Sequence, residues 1–463
     1  MRKAYFSLIL FVAGSMSAVA QDGLGLLDIY ELALTNDPVI REAEANFFAT
    51  AEVKRQARSS LLPSLSLSSS TSDSNSVNPN PPRDPFTGAP STVFSSSESD
   101  SQSSSLSLSL NQTVFDWGQI LSLKQADKTT LRAEADFAST QQELMIRVAT
   151  TYFSVLSAED LLSADIAARE ALEQQLEQAQ RRLDVGLIAI TSVQEAQAGY
   201  DRAVATVIGS ERALASAQEG VREIINNYVT ELRSPIEELP LLSPDPEDAQ
   251  AWVDISQGQN LALVASRISA DIANDDIRIS RSSRFPTLRL SASGSDSSGE
   301  AIQRTNQFAG PSLTSPPTSF DSEGESISLN LSVPIFSGGG NRSRIQQSVY
   351  RHRAALQSME RVARQTERLT RDAYLGVTSE ISRVQALRQS LESSRTALLA
   401  TQAGEEVGQR TGVDVVNAQN DVRRAETTYA GARYEYLLNI LRLKQAAGSL
   451  SADDLAEIDG WLE

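Results

Sequence analysis

The sequence predicts a mixed fold in which long helical hairpins carry a few β-strands, and three observations predict it. Four segments alternate apolar and polar residues with period two, as strands do. Long proline-free stretches keep apolar residues at spacings of three and four, as packed helices do. Both patterns recur in the same order: Tyr152 and Tyr374 lie 374 − 152 = 222 residues apart, as do Val185-Gly186 and Val407-Gly408 (407 − 185 = 222). The chain is read as two copies of one unit.

Composition bounds the chemistry. The 463 residues include 41 Lys+Arg, 59 Asp+Glu, one His and no Cys, for a net charge of −18. With no thiol and only His352, disulfides, Cys/His zinc sites and cysteine nucleophiles are excluded, and no metal or cofactor is expected. Such an acidic chain repels a phosphate backbone, so nucleic acid is not expected as a partner. An enzyme is not expected either: Gly338-Gly339-Gly340-Asn341-Arg342-Ser343 lacks the Gly-Lys-Ser/Thr ending of a phosphate loop and reads as a strand-to-helix turn.

In chain order, residues 1–20 form an export signal: Arg2 and Lys3 precede the apolar stretch Ala4 to Val12, and Ala18-Val19-Ala20 supplies the cleavage pattern. No later run reaches the roughly 18 apolar residues of a membrane-spanning helix. The first repeat, 21–233, holds a helix, strands at about 63–72 and 103–115, a long helix to 185 and a returning helix at 191–229. A Pro- and acid-rich linker, 234–250, leads to the second repeat, 251–447, with a helix, strands at about 286–295 and 325–335, a long helix at 341–406 and a returning helix at 413–447. Residues 448–463 read as an acidic tail.

Alternation places Leu65, Leu67, Leu106, Leu108, Leu288, Leu290, Leu329 and Leu331 on one strand face and Ser, Asn or Arg on the other. The polar connections Thr71 to Glu98 and Ser293 to Gly324 read as loops. A soluble sandwich with one buried face is one reading of these strands. The other is a membrane β-barrel, whose alternating segments of about ten residues they match. Four strands cannot close a barrel, and open edges in lipid leave backbone groups unpaired, so a membrane sheet must be shared among chains.

The returning helices carry the clearest seams. Val193, Ala196, Tyr200, Ala203, Val207, Ser210, Leu214, Ala217, Val221, Ile224 and Tyr228 alternate spacings of three and four, as do Val415, Ala418, Val422, Ala425, Tyr429, Ala432 and Tyr436. That sustained period is coiled-coil packing. Turns fall at Gly186 to Thr191 and Gly408 to Gly412, where Gly stops one helix and Thr191 or Asp414 starts the next. Phe115, Trp117, Phe285 and Phe336 sit where strands meet helices, either as a membrane-interface belt or as a plug of that junction.

Strand hairpin, Phe-Asp/Ser-x-Gly, long helix, the turns Val185-Gly-Leu-Ile-Ala-Ile-Thr-Ser-Val-Gln194 and Val407-Gly-Gln-Arg-Thr-Gly-Val-Asp-Val415, and Val-Pro-Ile-Phe-Ser-Gly-Gly at 333–339 together resemble the TolC-type outer-membrane efflux and secretion channels. The resemblance spans essentially the whole mature chain. It implies a homotrimer in the outer membrane of a Gram-negative bacterium, with twelve strands in one shared β-barrel and helical hairpins forming a periplasmic α-barrel. It implies a periplasmic adaptor and an inner-membrane pump of ABC or RND type as partners, with type I protein secretion as the role and multidrug efflux as the alternative. A periplasmic adaptor or structural coiled-coil protein is the remaining alternative. The resemblance places adaptor docking at Val185, Gly186 and Leu187 and at Val407, Gly408 and Gln409. It places a gate at Arg410, which would reach Thr191 and Ser192, with Asp414 and Asn417 near the narrowest point. Ser192, Glu405 and Asn417 depart from the family pattern, which can have an acid, a Tyr and a second acid there. The plainer reading makes Arg410 a solvated turn residue and Asp414 a helix cap.

Overall fold

The computed structural model describes residues 23–80, 95–229, 231–236, 238–307 and 311–463. The export signal at 1–20 lies outside the described residues. The chain divides into two compact units, one of residues 1–47, 134–266 and 359–463, the other of 48–133 and 267–358.

The first unit is helical. It contains α1 (Leu26–Asn36), the body of α3 (Trp117–Asp184), α4 (Ile190–Ile225), α5 (Ala249–Gln259), the body of α7 (Gly340–Glu406), α8 (Gly412–Ala447) and α9 (Ala452–Asp459). Its core gathers Leu26 and Ile29 of α1, Tyr152, Phe153 and Leu156 of α3, Tyr436, Leu437 and Leu441 of α8 and Leu455 of α9, all below about 3% exposure. The expected seams form. Val193, Val207, Ser210, Val221 and Ile224 of α4 are buried, as are Val415, Ala432 and Tyr436 of α8. Tyr228, expected on the α4 seam, lies beyond the helix end and is 64% exposed. Asn226 ends α4 early by taking a left-handed conformation (φ 54°), which a short polar side chain tolerates. The Arg222 guanidinium lies 4.3 Å from the Tyr228 ring centroid.

The region expected as an acidic tail is instead structured. Leu455 and Ile458 of α9 and Leu462 beyond it sit in the core, because the apolar residues keep helical spacing while Asp454 and Asp459 are paired with Lys444 and Arg233. Ser234 and Glu463 exchange backbone hydrogen bonds of 3.0 and 2.8 Å, and Arg233 reaches Asp28 and Asp459 at 3.0 and 3.5 Å. Tyr152 donates from its hydroxyl to the Arg233 carbonyl at 2.7 Å. The segment leading into α1, the linker and the last residues are thereby tied together.

The second unit contains most of α2 (Pro38–Ser59) and α6 (Leu261–Ser282), the first turns of α3 and α7, and every strand among the described residues. These are β1 (Ser64–Asn80), β2 (Ser95–Phe115), β3 (Thr287–Gln307), the two-residue β4 (Leu313–Thr314) and β5 (Thr318–Ser332). One antiparallel sheet runs β1–β2–β3–β5, with β4 beside β3. The strands are longer than expected. Much of both connections read as loops is paired: β1 runs on to Asn80, β2 begins at Ser95, β3 continues to Gln307 and β5 starts at Thr318. Serine-rich sequence looks like a loop, yet here serine pairs across the ladder, Ser70 with Ser105 at 2.8 Å and Ser74 with Ser101 at 2.7 Å. No described helix is long and apolar enough to cross a membrane.

Candidate functional site

The two hairpin tips share one backbone solution. At the first, Gly186 N–H donates to Leu183 O (2.8 Å) and Leu187 N–H to Arg182 O (2.9 Å); at the second, Gly408 N–H donates to Glu405 O (3.0 Å) and Gln409 N–H to Gly404 O (2.8 Å). Both glycines take positive φ, 75° and 78°. This is the Schellman closure, in which the left-handed residue after the helix lets its successors satisfy the last carbonyls. Nothing lies within 4 Å of a Cβ built at either glycine, so conformation alone demands glycine there.

Beyond the glycines the tips diverge. Val185, Leu187 and Ile190 are 69%, 74% and 63% exposed at the first tip; at the second, Val407 is 70% exposed and Gln409 replaces the leucine. Helix α4 starts at Ile190 with Ala189 as its N-cap and no side-chain cap, so Thr191 lies inside the first turn rather than starting the helix. Helix α8 starts after Thr411, which forms a capping box. Thr411 N–H and Oγ1 both donate to Asp414 Oδ2 at 2.9 Å, while Asp414 N–H donates to Thr411 Oγ1 at 3.2 Å. These bonds from Thr411, with the nearby Arg410 guanidinium adding less, hold the Asp414 carboxyl below the usual carboxylate range.

Of the expected gate residues, Ser192 and Arg410 line one cleft of about 430 Å³, together with Gln175, Arg182, Glu405 and Gly412. Within the chain Arg410 makes no bond to Thr191 or Ser192; its stem folds over Gly404. Asn417 is exposed on α8. Sequence reasoning missed the contacts that join the tips inside one chain. Arg182 Nη1 donates to Glu405 Oε1 at 2.8 Å, and Gln175 Nε2 to Gly412 O at 2.8 Å. Further from the tips, Arg423 pairs with the buried Asp165. The signal was present: Arg182 and Glu405 stand at nearly equivalent repeat positions (405 − 182 = 223) with opposite charge.

In the second unit, the eight leucines singled out from alternation share one sheet face. Leu65, Leu67, Leu106, Leu108, Leu329 and Leu331 are between 46% and 68% exposed. Direct cross-strand pairs Leu65–Leu110, Leu288–Leu331 and Leu290–Leu329 fix that face. The other face carries hydroxyls, with Ser66–Ser109, Ser68–Ser107, Ser291–Ser328 and Ser293–Ser326 hydrogen-bonded in rungs of 2.6–2.9 Å. A cavity of about 710 Å³ opens on this hydroxyl face, so the sheet curls around its serines and presents its leucines outward. At the strand ends Phe115, Trp117, Phe285 and Phe336 are 42%, 39%, 49% and 89% exposed.

Comparison with known proteins agrees with this geometry. The sequence profile of the outer membrane efflux protein family matches residues 29–227 and again 252–449, one match for each repeat. The outer membrane protein TolC of Vibrio cholerae is 32% identical over 98% of this chain and 98% of its own length. TolC of Escherichia coli is 32% identical over 94% of this chain and 85% of its own. The alkaline protease secretion protein AprF of Pseudomonas aeruginosa is 27% identical over 93% and 86%. Among solved structures, the Campylobacter jejuni CmeC outer membrane channel superposes with a TM-score of 0.71 at 15% identity, covering 97% of this chain and 95% of that one. The Vibrio cholerae outer membrane protein VceC superposes at 0.68 with 17% identity, over 91% and 96%. With both repeats matched, near-full-length relatives at 32% identity and the fold in common, the chain belongs to the outer membrane efflux protein family.

Proposed function

We propose that three copies of this chain close one twelve-stranded barrel in the outer membrane of a Gram-negative bacterium and export cargo through it and through a periplasmic tunnel of their helical hairpins. The observation that carries the reading is the four-stranded sheet with two free edges and an outward leucine face. Because β1 and β3 run one way and β2 and β5 the other, β5 of one copy meets β1 of the next antiparallel. Closure of this kind removes the edges that lipid forbids.

The cargo is handed on by an inner-membrane ABC or RND-type pump through a periplasmic adaptor. Export of proteins by type I secretion is the favoured role, supported by the likeness to AprF and to the proteases secretion protein PrtF of Dickeya chrysanthemi, which is 25% identical over 99% of this chain. Multidrug efflux is the second reading, favoured by the family's description as efflux proteins. The adaptor docks at Val185, Gly186 and Leu187 and at Val407, Gly408 and Gln409, with Leu187 the stronger anchor because an apolar side chain 74% exposed gains by being covered. The gate closes between neighbouring copies, Arg410 of one reaching Thr191 and Ser192 of the next, with Asp414 and Asn417 lining the constriction.

Sizing with light scattering in detergent tests the assembly. A trimer is expected, and Leu108→Lys or Leu329→Lys should weaken it, since a cation facing mid-bilayer lipid costs about 2–4 kcal/mol. A monomer that stays stable without detergent would overturn the barrel.

A further inference from the structure

Charge is divided unevenly between the two faces of the sheet. Register carries one face from Ser64 through Asn111 and Ser291 to Ser328. Among the described residues this hydroxyl face bears a single charged side chain, Arg289 of β3. The carboxylates of the strands, among them Asp100, Asp296 and Glu323, all stand at alternate positions on the leucine side. Within a chain of net charge −18, a face without one acid and with one arginine is a departure that strand alternation alone does not require.

Arg289 lies directly opposite Thr113 on one side and Asn330 on the other. It is exposed and pairs with no carboxylate among the described residues. It lines the cavity of about 710 Å³ on the hydroxyl face, where Asn111, Thr113, Gln119 and Asn330 surround it. A guanidinium left free of acids, flanked by amide and hydroxyl donors, is arranged to receive an oxyanion through two parallel N–H donors with neutral donors beside them.

We propose that Arg289 forms an anion-binding station on the inner wall of the barrel, taking carboxylate- or phosphate-bearing groups of the passing cargo. The inference rests on the shared barrel proposed above, in which three Arg289 side chains face one lumen. In a wall whose other polar side chains among the described residues are hydroxyls and amides, that ring supplies the fixed charge that a multivalent anion meets.

Tripolyphosphate added to either chamber of a planar bilayer holding the intact channel is the probe. It should reduce the single-channel current. The blocking concentration should rise about tenfold in Arg289→Gln, because a charge-assisted contact is exchanged for a neutral one. Arg289→Lys should keep most of the block, and block by hexamminecobalt should not change in either Arg289 variant. Asn330→Asp sets a carboxylate beside the retained arginine and should weaken tripolyphosphate block as well, so it decides the matter if Arg289→Gln does not assemble. Equal block in wild type, Arg289→Gln and Asn330→Asp, or none in wild type, would overturn the station. A wild-type protein that forms no channel would count against the barrel instead.

Discussion

The first tip, from Arg182 to Ile190, and the second, from Gly404 to Gly412, end their outgoing helices with the same pair of backbone bonds and the same left-handed glycine. What comes after the glycine is different. The first tip continues with Leu187, 74% exposed, and enters α4 through Ala189 without a side-chain cap; the second continues with Gln409 and Arg410 and enters α8 through a complete capping box. The first tip thus adds Leu187 and Ile190 to the exposed valine that both tips share, while the second uses its polar groups to hold its own backbone. Glycine conformation sets the turn, and the residues behind it are free to specialise in contact or in rigidity.

The comparison breaks most sharply at the glycines themselves. Alanine at Gly186 or at Gly408 should cost about 1–2 kcal/mol of local stability, the usual penalty for an L-residue held left-handed. With nothing near either Cβ, the two costs should match, and asparagine should restore part of each. Hydrogen exchange at the Leu187 and Gln409 amides would measure this. Unequal losses would mean that the tips do not share one geometry.

Removing the cap sharpens the contrast at smaller size. Thr411→Ala should loosen the first turn of α8 by about 1 kcal/mol, while Ala189→Ser at the capless tip should tighten α4 by a similar amount. Protection of the Asp414 and Ser192 amides reports the two directions separately.

How much of this was legible depends on whether the signal was periodic. Long seams such as Val193 to Ile224 repeat often enough to override single residues, and the leucines of β1, β2, β3 and β5 alternate strictly. The glycine turns were equally plain, since few residues take positive φ. Strand length was not legible. Beyond Leu67 and before Leu106 nearly all residues are polar, with Val77 the apolar exception in β1, so period two disappears from hydropathy although the ladder continues from Ser68–Ser107 to Asn80–Ser95. The docked C-terminus was hidden by its acids, which are as many as the apolar residues that anchor it. At the candidate site, the positions of Arg410, Ser192 and Asp414 were readable, but the partners were not. A side chain such as Glu405 finds Arg182 through the approach of two helices distant in sequence, and only the repeat offset hinted at it.

The finest distinction between the tips lies in acid. The Asp414 carboxylate accepts from the Thr411 N–H and hydroxyl, which favours its charged form and places its folded pKa below the ordinary aspartate value. A group shifted down contributes its stabilisation fully above its unfolded pKa, about 3.9, and loses it as the pH falls through the lower folded value. The second tip should therefore show constant exchange protection from neutral pH down to about 5 and then loosen below about 4. At the first tip the capping residue is Ala189, which has nothing to titrate, so its first turn should hold across the same window. Asp414→Asn supplies the control. It removes the carboxylate and should flatten the acid response of the second tip. If that tip still loosens in the variant, the Asp414 carboxylate is not the cause of the acid response.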